Sequence, residues 1–271
     1  MAKKKKTSSQ KGQSTNPSQA TKMYDVIGQQ LFAGDYAAVV TSCEQLLDFL
    51  PSISPMRIDV LAQLGTAYGL LRNFPQAYAA LSKALELSPN DADLWYNRGM
   101  ASRFTMRLGQ SFKDFTRASE LNTDPQLSRR INKELRFSRK VANRELRLRD
   151  RTFTLEQLIE QEEHFQRGVT LMNARQWDEA AQAFQASIDM GDCLPQPWGN
   201  LGICLLMQER YDESEAALKR ALKIDRRYRI AKHNLKLLAQ CRKNGPPAII
   251  GSEDPFANKK IKQGITYVGT K

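Results

Sequence analysis

The chain is poor in residues that do covalent or metal chemistry. It has two histidines, His164 and His233, in 271 residues. His164 follows Glu160 by one helical turn, the spacing of a Glu–His metal pair. No third ligand accompanies it, so a solvated helix histidine is the plainer reading. Four cysteines, Cys43, Cys193, Cys204 and Cys241, lie far apart. That excludes a close-spaced zinc or redox motif and leaves reduced, buried thiols. Glycines occur singly, so no phosphate-cradling loop is present. Carboxylates such as Glu162 and Glu163 read as a solvated helix face. Neither an enzyme, a metal nor a cofactor is expected.

Long apolar runs are missing too. None approaches the length that crosses a bilayer, and the start, MAKKKKTSSQ, is not followed by the apolar core of a secretory signal. A soluble, cytoplasmic protein without membrane insertion is expected. KKKK reads as a nuclear address only for a eukaryotic source.

The charge that is present is concentrated. Formal net charge is +12. Residues 1–22 hold six Lys and no acid, and residues 126–151 hold ten Lys/Arg against Glu134, Glu145 and Asp150. These two segments carry the whole excess, so the rest is close to neutral. Residues 1–20 are almost without apolar side chains and are expected to be disordered. From Met23 onward apolar residues recur at helical spacing, and no alternating strand pattern precedes residue 245.

A register repeats within this helical stretch. Gly65, Phe74, Leu81 and Ala84 recur 34 residues on as Gly99, Leu108, Phe115 and Ala118. The frame returns with Gly168, Trp177, Ala180 and Phe184, and again with Trp198, Leu201, Gly202, Tyr211, Leu218 and Ala221. This frame resembles the tetratricopeptide repeat, a helix–turn–helix unit of 34 residues with the pattern W-x2-L-G-x2-Y followed by Ala, Phe, Ala and Pro. Leu64, Gly65, Tyr68, Ala77, Ala84 and Pro89 match it in unit 58–91; Trp95, Gly99, Phe115 and Ala118 match in 92–125. Gly168, Ala180 and Phe184 match in 161–194, and Trp198, Leu201, Gly202 and Ala221 in 195–228. A degenerate unit at 20–53 keeps only Pro51.

The resemblance implies an all-α helical-hairpin solenoid, stabilised by stacking of neighbouring units. The expected order is a Lys-rich tail (1–20), an N-terminal block (21–125), a linking helix (126–151), a C-terminal block (155–243) ending in a capping helix (229–243), and an extended tail (244–271). It also implies a concave groove lined by Glu162, Phe165, Val169, Met172 and Asn173 in one unit, and by Gln196, Gly199, Ile203, Leu206 and Met207 in the next. Phe165, Val169, Met172, Ile203, Leu206 and Met207 make that groove apolar. Either an apolar or amphipathic peptide of a partner covers it, or the chain does so itself with PPAII (246–250) or ITYV (265–268). A carboxylate clamp of the chaperone-binding kind is not expected. Asn97 and Asn200 fit its middle position, but Ala62, Thr66, Phe165 and Val169 stand where its other groups would be.

The segment 126–151 forms a two-faced helix. Leu127, Ile131, Leu135, Ala142 and Leu146 share one side. Arg129, Lys133, Arg136, Lys140, Arg144, Arg147 and Arg151 form an opposite stripe about 33 Å long. Phe137, Val141 and Leu148 make a narrower apolar edge. Like charges one turn apart destabilise a helix, so something anionic is expected to face the stripe. Three candidates are an acidic surface of the chain's own repeats, an acidic protein partner, and RNA or DNA phosphates, with the Lys-rich start as a second contact. The first reading of function is a non-catalytic adaptor or scaffold for protein–protein interaction; the second is an RNA- or ribosome-associated factor. Thr154 and Gln157 signal a capping box for the following helix.

Overall fold

The computed structural model describes residues 17–246 and the backbone of two strands, 249–253 and 265–268. Most of the Lys-rich start lies outside the described residues. Its last four residues do not: Pro17 opens the first helix, where a missing N–H costs nothing, and Ala20 is already buried.

Twelve helices occupy the described residues up to Asn244. Three antiparallel pairs come first: α1 (Pro17–Ala33) with α2 (Tyr36–Phe49), α3 (Met56–Leu70) with α4 (Phe74–Leu87), and α5 (Ala92–Phe104) with α6 (Leu108–Leu121). The long α7 (Pro125–Arg147) follows. Two more pairs are α8 (Leu155–Asn173) with α9 (Trp177–Met190), and α10 (Pro195–Met207) with α11 (Tyr211–Ile224). Helix α12 (Arg229–Asn244) caps the array. Strands β1 (Ile249–Glu253) and β2 (Ile265–Val268) pair in parallel.

In four of the five pairs, all but α1–α2, a glycine on the first helix lets the second come close. A Cβ at Gly65 would lie 2.5 Å from Leu81 Cγ, and one at Gly168 would lie 2.7 Å from Phe184 Cε1. The repeating Gly/large-residue couple is therefore the physical content of the 34-residue frame. Each first helix ends in a left-handed residue: Gly34, Arg72, Met106, Arg175 and Glu209 (φ 59–73°). At Arg72 this turns the chain so that Asn73 N–H reaches the Tyr68 carbonyl at 2.8 Å, the usual way to satisfy a helix's last carbonyls.

Helix starts follow local chemistry. The Asp91 side chain accepts from Asp93 and Leu94 N–H, and Asp124 accepts from Gln126 and Leu127 N–H. Thr154 and Gln157 form the expected capping box. Helix α7 ends earlier than residue 151. Asp150 accepts from Thr152 N–H at 2.9 Å and Thr152 Oγ1 at 2.7 Å, and this local turn competes with helix. The stripe on the helix itself runs from Arg129 to Arg147, about 27 Å.

Two packing arrangements differ from a plain linker between blocks. Helix α7 lies on α6 through Leu127 and Ile131, as the first helix of a further unit would, and Ser138 and Ala142 are buried on it as well. Helix α8 then returns to the start of α6.

Candidate functional site

The groove residues divide between two fates. Phe165, Val169 and Met172 are 8%, 3% and 1% exposed and belong to the core of the C-terminal helices. Their face of α8 meets the α5–α6 corner: Gln166 Nε2 donates to the Thr105 carbonyl at 2.6 Å, and Met106 packs against the same cluster. At these three positions the chain itself is the cover. They are an internal contact: they pack with Phe184, Ile188 and Leu201 of α9 and α10, with Met106 of the preceding repeats at the edge. On α10, Ile203 and Leu206 are fully buried and Met207 is half-buried. They belong to the same apolar cluster as Phe184 and Leu238, and the backbone of strand β2 lies against α10 and α12. The backbone of ITYV (265–268), one of the two candidate self-covering segments, is this strand. PPAII runs partly outside the described residues.

Glu162 also departs from expectation. It is buried rather than solvated, and it caps the α6 N-terminus, which has no side-chain cap of its own. Its carboxyl accepts from Leu108 N–H at 2.8 Å and from Gly109 N–H at 3.0 Å. Burial pushes its pKa up to about 8, against the pull of those backbone N–H groups. A group that holds its proton more tightly folded than unfolded stabilises the fold most at low pH. Stability is therefore expected to fall as pH rises from about 4.5 to about 8. In Glu162→Gln that slope should flatten, as read from urea midpoints across the range.

Neighbouring contacts extend this lock. Glu163 accepts from Tyr78 Oη at 3.1 Å and lies 3.4 Å from Arg107 Nε, whose guanidinium covers the Tyr78 ring at 4.1 Å. Glu163 itself remains exposed. One residue before Glu162, Gln161 accepts from Arg149 at its Oε1, 2.7 Å away, and donates to the Ser187 and Gly191 carbonyls.

All seven stripe cations are exposed: Arg129, Lys133, Arg136, Lys140, Arg144, Arg147 and Arg151. Among the described residues the sole ion pair any of them makes is Arg144 with Glu145, at 3.9 Å. An acidic surface of the chain's own repeats does not neutralise them. Two further cations of α7, also exposed, lie over rings: Arg130 over Tyr96 at 4.8 Å and Arg139 over Phe112 at 5.8 Å. Glu134 pairs with Arg103 at 2.6 Å. Beside the stripe, Phe137 and Leu148 are 46% and 48% exposed and Val141 is half-buried. A cleft of about 530 Å³ lies at its C-terminal end, lined in part by Arg147, Arg151 and Phe153.

One apolar feature escaped the sequence reading. Phe32, Leu70 and Phe104 hold the same place, the end of the first helix, in the first three units. Phe32 is 97% and Leu70 54% exposed, while Phe104 is stacked on Phe74 at 4.3 Å. The signal was available: the groove position occupied by Met207 maps onto all three.

No group of three or more His, Cys, Asp or Glu among the described residues could hold a metal ion. His164 is half-buried. The cysteines are free, and burial pushes the Cys43 thiol up to about 12. No described helix is long and apolar enough to cross a membrane.

Antiparallel helix pairs in one recurring 34-residue frame define a helical-hairpin repeat protein. Family models described as "Tetratricopeptide repeat" match residues 58–91, 80–113 and 165–229; the chain is a tetratricopeptide repeat protein. Comparison with curated proteins gives no match. Similar solved structures include the first tetratricopeptide domain of Spaghetti (RPAP3) bound to the HSP90 peptide SRMEEVD, at 19% identity and TM-score 0.42, covering 48% of this chain and 98% of that one. The P58(IPK) domain is 14% identical with TM-score 0.45, covering 83% and 66%. YrrB, described as having an unusual peptide-binding site, is 18% identical with TM-score 0.37, covering 79% and 91%.

Proposed function

We propose that the protein is a non-catalytic adaptor that holds an extended peptide segment of a protein partner on the inner face of α10. One observation carries the reading: an extended strand of the chain itself, β2, already lies against α10 and α12. A surface that accepts one extended apolar segment accepts another of similar shape, and stacked helical hairpins offer such surfaces along their length. Ile203, Leu206 and Met207 are the residues assigned to this contact. A partner peptide would take the place of β2, so binding competes with the tail.

The test uses the full chain and a form ending at residue 245. A labelled peptide copying 264–271 is expected to bind the shortened form at least about tenfold more tightly than the full chain, read by fluorescence anisotropy. Met207→Asp should remove that gain. Equal, negligible binding to both forms would refute the reading.

A further inference from the structure

We infer that the outer face of α7 is a second docking surface, and that its occupant is an acidic amphipathic helix of a partner protein. Three observations converge on that chemistry. The stripe is open: six cations from Arg129 to Arg147 lie exposed on α7, and only Arg144 has an acidic neighbour among the described residues. Repulsion between cations one turn apart destabilises a helix in isolation, and α7 is held instead by its inner face on α6. The outer cations therefore add nothing to the fold's own contacts.

The second observation is the apolar edge. Phe137, Val141 and Leu148 follow one another at spacings of four and seven residues. With Arg144 at the intervening position, they form an edge along which a second helix can lie on α7 and its C-cap residue Leu148, flanked by Arg136, Lys140 and Arg147 as the charged positions of a helix pair are. An incoming helix with an apolar seam and flanking Glu or Asp would cover Phe137 and Leu148 while neutralising the stripe. A nucleic acid would meet the cations but leave these two large side chains uncovered. The one aromatic beside the stripe on α7, Phe137, already has the Arg103 guanidinium 4.3 Å from its ring, so it offers at most one face to a base.

The third observation excludes the chain's own remaining segments by charge. Residues 1–16 contain five Lys and no acid, and residues 254–264 contain three Lys against Asp254. Neither complements a cationic face, so the anion comes from elsewhere.

The probe is a synthetic helix with a Leu seam flanked by Glu. Its controls are the same seam flanked by Lys and a mixed-sequence RNA oligonucleotide. All are titrated into the full chain at physiological salt. Two variants are compared: Arg136→Glu/Lys140→Glu/Arg144→Glu, and Phe137→Ser/Leu148→Ser. These positions are exposed, so unchanged helicity and melting temperature serve as the folding check for each. The acidic helix is expected to bind, the basic control not to bind, and each variant to lose about tenfold or more in affinity. Truncation at residue 245 should leave this binding unchanged, which separates it from the α10 surface.

Three outcomes would overturn the proposal. The first is no binding of the acidic helix, and the second is binding to the Phe137/Leu148 variant as tight as to the unaltered chain. Tighter binding of RNA, with a steep salt dependence and no loss in the Phe137/Leu148 variant, would assign the stripe to phosphates instead.

Discussion

Replacing Phe165 with Asp is expected to unfold the C-terminal helices rather than to produce a folded protein with a damaged groove. The Phe165 ring is 8% exposed and lies 5.6 Å from the Phe184 ring, which in turn fills the space left by Gly168. Removing a buried Phe side chain costs about 3–5 kcal/mol, and placing a carboxylate in the same apolar site adds to that. The expected loss is therefore about 4 kcal/mol or more, read as a large drop in the urea midpoint. Met207→Asp, at a half-buried position on α10, should cost far less. If Phe165→Asp shifts stability by under about 1 kcal/mol, the α8 face is open and the internal docking described above is wrong.

Asp114→Ala should be comparably damaging, for an electrostatic reason. Asp114 is fully buried and receives Arg98 through two bonds, 2.6 and 3.1 Å, with Gln110 Nε2 at 2.7 Å and Ser102 Oγ at 3.1 Å. Desolvation raises its pKa, and these donors oppose the rise. Taking the carboxylate away leaves the Arg98 guanidinium, 13% exposed and stacked 4.7 Å from Trp95, without its partner. Such breaks cost about 3–5 kcal/mol, whereas replacing both members with apolar residues is often close to neutral. Arg98→Met/Asp114→Leu is thus expected to recover most of the loss. Thermal melts of the two variants decide it: a double variant no better than Asp114→Ala would mean that packing, not charge, holds this site. Gln110 stands in the first turn of α6, which Glu162 caps, so the damage should reach the α8 contact.

The amino-acid sequence by itself determined the repeat, the helix ends and the two-faced character of α7. Those features are local. A Gly/large-residue couple spaced along one hairpin, an Asp or Thr ahead of a helix, and cations three and four residues apart all act within one or two turns. The same locality explains why the cover over Phe165, Val169 and Met172 is not legible in the sequence. Periodicity shows that a helix has an apolar face but not which element covers it, and α8 is covered by the α5–α6 corner, 61 residues away in the Gln166–Thr105 bond. Glu162 looked like a surface acid for a related reason. Its partners are backbone N–H groups at the start of α6, which carry no side-chain signature in a sequence. Whether the α7 stripe faced an internal acid or open solvent, and that β2 would lie against α10, were likewise decided only when separate elements met in space. Side-chain spacing sets what each helix can offer; tertiary packing chooses which of those faces is consumed by the fold and which is left for a partner.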